Sequence, residues 1–320
     1  MNGLLTSLMG ATAQGVLWGI MALGVYITYK LLKISDLTVD GSFALGGCVC
    51  AVLILGGMNP ALATLIAIIA GLAAGAVTGI LHTVFNIPAI LSGILTQISL
   101  WSINLRIMSG KSNLPLLNSE TIISFFVGRS GSSTIESASG FAKALGMTQS
   151  TASLVIGIVI AIIIVAILYW FFGTEIGSAL RATGNNEAMI RALGVNTNRT
   201  KLLALMISNA LVSFSGALVA QSQKYADVGM GTGAIVVALA SIVIGEVFFK
   251  YARNFALKLT SAVVGAIVYF IIRAVFLRLG MNANDMKLLS AIIVAVSLCI
   301  PVITQRIKEK QAYSEEGGED

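Results

Sequence analysis

Residues 152–172 read ASLVIGIVIAIIIVAILYWFF, without a charge or a proline. A helix rises 1.5 Å per residue, so about 20 apolar residues cross the roughly 30 Å hydrocarbon layer of a bilayer. This stretch is long enough and apolar on every face, and it predicts a spanning helix. The rest of the chain agrees. Of 320 residues, 57% are hydrophobic and 11% charged, against about 25% charged in soluble domains. That balance excludes a disordered protein, a nucleic-acid-binding domain and a secreted disulfide scaffold. The net charge of +6 reads as anchoring of cytoplasmic loops.

The same criterion predicts nine spans: Thr12–Leu32, Ser42–Gly57, Ala61–Val84, Pro88–Met108, Ala152–Phe172, Leu202–Ala220, Ala234–Phe249, Ala256–Leu277 and Lys287–Ile303. The fold class is therefore an all-α polytopic membrane protein. The second and seventh segments are short and follow Gly-rich polar loops, the pattern of broken helices beside a cavity. Placing the N-terminus outside puts most basic residues in the cytoplasm, among them Lys30, Lys33, Arg181, Arg191, Arg199, Lys201, Lys250, Arg253 and Lys258. Nine crossings then leave the C-terminus inside. Residues 1–307 form the membrane domain, with an extracytoplasmic loop over 109–151 and a cytoplasmic loop over 174–201. Residues 308–320 form an acidic tail expected to be disordered. The loops 36–42 and 227–233 precede the two short segments from opposite sides, which suggests an inverted repeat.

Gly71, Gly75 and Gly79 recur every four residues, as do Gly15 and Gly19. Small residues at this spacing let helix backbones approach, within one subunit or across a dimer seam. Cys48, Cys50 and Cys299 fall in apolar runs and read as small buried hydrophobes. No metal cluster and no catalytic constellation can be assembled around the single histidine, His82. Gly110-Lys111-Ser112 matches the end of a phosphate loop, but Leu105 stands where that loop requires glycine. No nucleotide site or cofactor is expected in this chain.

The 174–201 loop carries the most information. Asn185 or Asn186 suits a helix N-cap, and Glu187 and Arg191 suit the first and last turns of a dipole. Gly194 suits the left-handed C′ position. A helix this short is marginal in water, so it must pack on its own bundle, on lipid or on a partner.

Polar groups inside a membrane are functional candidates because leaving one unpaired there costs several kcal/mol. Gln97 and Asn104 lie seven apart on one helix face, facing either the pathway or other helices. Asp40 and Ser42 open a short helix whose positive end could meet an anion, although Asp40 could simply cap it. Asp227, in an outward loop, could contact the solute or a binding protein. Glu246 and Lys250, four apart, suggest a local ion pair. Arg106 and Arg273 suit the outer interface.

At these residues the chain resembles a known family. Gly177-Ser-Ala-Leu-Arg-Ala-Thr-Gly-Asn-Asn and Ala192-Leu-Gly-Val-Asn look like the coupling loop of ABC importer permeases of the branched-chain amino acid and ribose superfamily. Asp36-Leu-Thr-Val-Asp-Gly-Ser is similar to that superfamily's turn after its first core helix. Ile87–Thr96 and Ser102–Pro115 resemble its tryptophan/tyrosine-type branch. The resemblance implies a homodimer, a cytoplasmic ABC ATPase dimer that binds ATP and Mg²⁺, and an extracytoplasmic substrate-binding lipoprotein, all at a bacterial inner membrane. It implies a substrate pathway for which Asp40, Ser42, Gln97, Asn104 and Asp227 are candidates. Arg181, Gly184, Asn185, Asn186, Glu187, Arg191 and Gly194 would meet the ATPase through a helix over 183–194. The solute implied is an amino acid, with aromatic amino acids, nucleosides and sugars in reach. No catalytic residue or nucleic-acid partner is implied. Glu246 stands where the sugar permeases tend to have a glycine pair, which weighs against a sugar. An ion-coupled secondary transporter is the rival class. It would want acids deep in the membrane, whereas Asp40 and Glu246 sit near helix ends.

Overall fold

The computed structural model describes residues 2–117, 119–127, 149–250, 254–281, 285, 288–296 and 299. The 308–320 tail and much of the last predicted span lie outside them. The elements, in order, are α1 (Asn2–Tyr26), a π turn (Ile27–Leu31), α2 (Thr38–Leu55), α3 (Pro60–Thr83), α4 (Ala89–Ile107), β1 (Asn113–Pro115), α5 (Ile122–Val127) and α6 (Gln149–Gly173). They continue with α7 (Glu175–Asn185), α8 (Glu187–Ala192), α9 (Thr197–Gln223), β2 (Tyr225–Asp227), α10 (Ala234–Phe248) and α11 (Phe255–Arg278). Among the described residues, seven helices are long and apolar enough to cross a membrane, and α10, at 15 residues, is shorter.

The bilayer inverts the usual relation between hydrophobicity and burial. The span in α6, which carries no charge, is 22% buried, whereas that in α9 is 67% buried. Lipid tails are as apolar as leucine, so apolar side chains gain little by turning inward. Small and polar groups occupy the centre instead. The α9 hydroxyls donate to main-chain carbonyls of its neighbours: Ser208 to Gly24 (2.8 Å), Ser213 to Ala67 (2.6 Å) and Ser215 to Leu17 (2.7 Å).

Glycines set the close crossings. A Cβ on Gly71 or Gly75 would lie 2.4 Å from the carbonyl oxygen of Asn209 or Leu205, so α3 lies directly along α9 of the same chain. Gly15 and Gly19 of α1 meet Ile267 and Val263 of α11. The packing is reciprocal: α3 runs along α9 as α11 runs along α1, and α2 lies on α3 as α10 lies on α11.

The loops fall on two faces. On one, β1 pairs antiparallel with β2, a two-stranded ribbon that the reading from sequence missed. On the other lie the π turn, the start of α9 and the α7–α8 elbow. There Asn198 donates to the Thr83 carbonyl (3.2 Å) and Gly184 sits against Leu31.

Candidate functional site

The elbow begins where Thr174 caps α7, its hydroxyl accepting from the Gly177 N–H. Helix α7 ends at Asn185, because Asn186 is extended (φ −151°, ψ 95°). The Asn186 side chain then caps α8, accepting from Met189 N–H at 3.0 Å. Asn186 is one of the two caps expected; only the 183–194 bounds are corrected, because residues 183–185 belong to α7. Gly184 and Asn185 close α7, and only Glu187–Ala192 form the second helix. The asparagine cap competes with continued helix and wins.

Packing and charge both hold the elbow. Ile190 is buried, and Glu187 accepts from Lys201 (2.7 Å) and Arg191 (2.9 Å). The Lys201 hydrogen bond, with the positive field around it, holds the Glu187 carboxyl below its ordinary range. Arg181 turns the other way, its guanidinium carbon 5.1 Å from the centre of the Phe255 ring. The chain leaves α8 through Gly194, whose φ of +85° is the left-handed conformation expected of a C′ glycine. Met189 and Leu193 are 51% and 71% exposed, and a Cβ on Gly194 would meet nothing within 4 Å. The elbow thus presents apolar side chains and an open tip away from the bundle.

The polar candidates divide. Helix α2 starts at Thr38, a turn before the expected Ser42, so Asp40 lies inside its first turn. Its carboxylate does not cap α2. It accepts from the Gly233 and Ile235 N–H groups, both at 2.9 Å, and so caps α10 across the bundle. Gly231 allows this, since it packs against the Asp40 carbonyl where no side chain would fit. Ser42 is fully buried and donates to the Asn209 side-chain oxygen (2.7 Å). The Asn209 amide donates in turn to Asp36 (2.7 Å), and Asp36 also accepts from Thr38 N–H (2.9 Å). Burial pushes the Asp36 carboxyl up from its usual value, opposed by these hydrogen bonds. A second chain runs Thr38–Thr78–Thr96 through hydroxyl contacts of 2.7 and 2.9 Å.

Gln97 is half-buried on α4, and Asp227 is half-buried at the end of β2, accepting from Gly229 N–H (2.6 Å). Neither joins the Asp36–Asn209–Ser42 network. Asn104 is 1% exposed, and both polar atoms of its amide lack a hydrogen-bond partner among the described residues. Such a vacancy costs about 1–3 kcal/mol. Glu246 pairs with Lys30 (2.7 Å), 216 residues away, which corrects the expected Lys250 partner. Asn209 and Gln221, both fully buried, were missed as intramembrane polar groups. Scanning α9 for amides in an apolar run would have found them. Among the described residues no cluster of His, Cys, Asp and Glu could hold a metal.

The apolar helices define a multi-pass membrane protein with a short two-helix elbow between the α6 and α9 spans. Its family follows from comparison. The family described as "Branched-chain amino acid transport system / permease component" matches residues 7–297, and the chain belongs to it. The tyrosine transport system permease protein of Clostridioides difficile (strain R20291) is 36% identical over 96% of both chains. An uncharacterized protein of Rickettsia prowazekii (strain Madrid E) is 33% identical over 93% of this chain and 97% of its own. The ribose import permease protein RbsC of Escherichia coli (strain K12) is 23% identical over 88% of this chain and 81% of its own. No solved structure matches. The protein is thus an ABC permease of the bacterial inner membrane, not an enzyme. The family generally works with ATPase and substrate-binding partners, and ATP hydrolysis occurs in the partner ATPases.

Proposed function

We propose that this chain is the membrane subunit of an ABC importer that works as a homodimer and carries an amino acid, aromatic amino acids included. The observation that carries the coupling is the elbow: exposed Met189 and Leu193 beside an open Gly194, on a six-residue helix that cannot stand alone in water. Such a surface needs a partner, and a groove in the ATPase provides one. Nucleotide-driven closure of the ATPases would then tilt the bundle through α7, which packs on α6, on the π turn and on the start of α9. The elbow face is cytoplasmic in this reading. It carries Lys30, Lys33, Arg181, Arg191, Arg199 and Lys201, and the N-terminus is outside.

Asn104 is the candidate pathway residue, supported by its buried amide, which has no hydrogen-bond partner among the described residues. Asp40 acts by holding α10 to α2. The amino-acid substrate is supported by the 36% identity to a protein named for tyrosine transport. The ribose relative, more distant, makes a sugar the competing substrate. The test is purification of the tagged chain from its native membrane, followed by uptake in vesicles. A stoichiometric ATPase with ATP-dependent tyrosine uptake is expected. A chain that stays alone after cross-linking in intact membranes would defeat the coupling. Ribose uptake without tyrosine uptake would replace the substrate.

A further inference from the structure

Two cavities meet beside the elbow. One, about 440 Å³, is a groove between α1, α6 and α11, with Val16, Ile158, Ala161, Val165, Ala166 and Ile267 on its walls. The other, about 650 Å³, is a cup around Trp170, Thr174, Arg181, Asn254 and Phe255. Tyr169 and Ala256 line both, so groove and cup adjoin. The groove is aliphatic apart from Tyr169 and Thr260, and the Thr260 hydroxyl is already donated to the Ala256 carbonyl at 2.9 Å. The cup holds a cation, Arg181, and no carboxylate lines either cavity. Exposed Lys258 lies one turn along α11 from Asn254. Trp170 and Tyr169, 72% and 55% exposed, stand where the span ends, the depth at which aromatic residues meet lipid headgroups.

We propose that groove and cup bind one anionic phospholipid of the cytoplasmic leaflet, its acyl chains along α6 and α11 and its phosphate at Arg181. An apolar part and a cationic part that share the wall Tyr169 and Ala256 are what select a lipid. A soluble anion would fill the cup and leave the groove, and an uncharged apolar molecule would leave Arg181 unanswered. The Phe255 ring braces the guanidinium from one side, and Arg181 lines the cup. Because Arg181 belongs to α7, the lipid fastens the first arm of the elbow to α6 and α11. Only the leaflet rests on the orientation proposed above. The binding itself does not need the ATPase.

The test uses the purified full chain, given vesicles of phosphatidylglycerol and phosphatidylethanolamine with identical acyl chains. Retained lipid is counted by native mass spectrometry. One basic residue near a membrane surface attracts an anionic lipid enough to give about a fivefold preference. Wild type should show that preference, Arg181→Gln should lose it and Arg181→Lys should keep most of it. Ala166→Phe, which fills the groove without touching the cup, should lower retention of both lipids. Lys111→Gln, in the loop that leads to the ribbon, should change nothing. Equal retention by wild type overturns the proposal. So does a preference that survives Arg181→Gln, or one that survives Ala166→Phe with undiminished retention. Should Arg181→Gln not fold, the Ala166→Phe arm decides.

Discussion

Gly194 separates what the elbow needs for its own folding from what it needs for a partner. Any non-glycine residue at φ +85° pays about 1–2 kcal/mol of left-handed strain. Alanine and arginine pay it alike, and neither meets an atom within 4 Å of the new Cβ. In the isolated permease the two variants should therefore melt together, a few degrees below wild type. They differ only against something outside the chain. An arginine forced unpaired into a closed groove costs about 3–5 kcal/mol, a loss of a hundredfold or more in affinity. Gly194→Ala should keep the ATPase through purification and keep substrate-stimulated ATP hydrolysis. Gly194→Arg should lose both while still assembling in the membrane. A Gly194→Arg complex with a full complement of ATPase and normal uptake would show that the tip of the elbow is not buried against a partner, and the docking argument would fail.

Four further outcomes follow from the same contacts. Asp40→Ala should cost about 0.5–2 kcal/mol by uncapping α10, read as a lower melting temperature in detergent, with Asp40→Asn milder because it keeps an acceptor. Gly75→Val would press a Cβ to 2.4 Å from the Leu205 carbonyl oxygen. It should cost about 1–3 kcal/mol or block expression, while Gly173→Ala, with open space around it, should behave as wild type. Lys30→Glu combined with Glu246→Lys should restore the pair that either change alone breaks. Because both side chains are well exposed (45% and 38%), the whole effect on melting should stay below about 1 kcal/mol. The Glu187 carboxyl, lowered mainly by its hydrogen bond from Lys201, stabilises the elbow fully above the ordinary glutamate value of about 4.3. That contribution is lost as pH falls through the lower folded value, so melting at pH 3 should drop less in Glu187→Gln than in wild type.

Much of the fold was legible in sequence because lipid demands long apolar runs, and such runs need no tertiary information to be seen. The Gly71–Gly75–Gly79 stripe announced a close helix contact for the same local reason: spacing of four defines a face. It could not say which helix would fill that face. Segment ends were less legible. The added turn at Thr38 depends on Asp36 taking the Thr38 N–H, and Asp36 is held by Asn209 from another helix. The elbow's charges and glycine end were readable because capping is local. Which of two adjacent asparagines would form the cap was not, since both offer the same acceptor, and the structure uses Asn186.

By itself, then, the sequence determined the class of solvent, the succession of helices and the existence of a short capped element between the α6 and α9 spans. These are properties of period, length and local hydrogen bonding. Tertiary structure alone decided the partners. It sent Asp40 to α10 rather than to its own helix, Glu246 to Lys30 rather than to its neighbour, and Asn209 to Asp36 and Ser42. Among the described residues it gave the Asn104 amide none. A carboxylate or an amide reaches only a few ångströms. What it finds there depends on how whole helices cross, and close glycine contacts between helices far apart in sequence set those crossings.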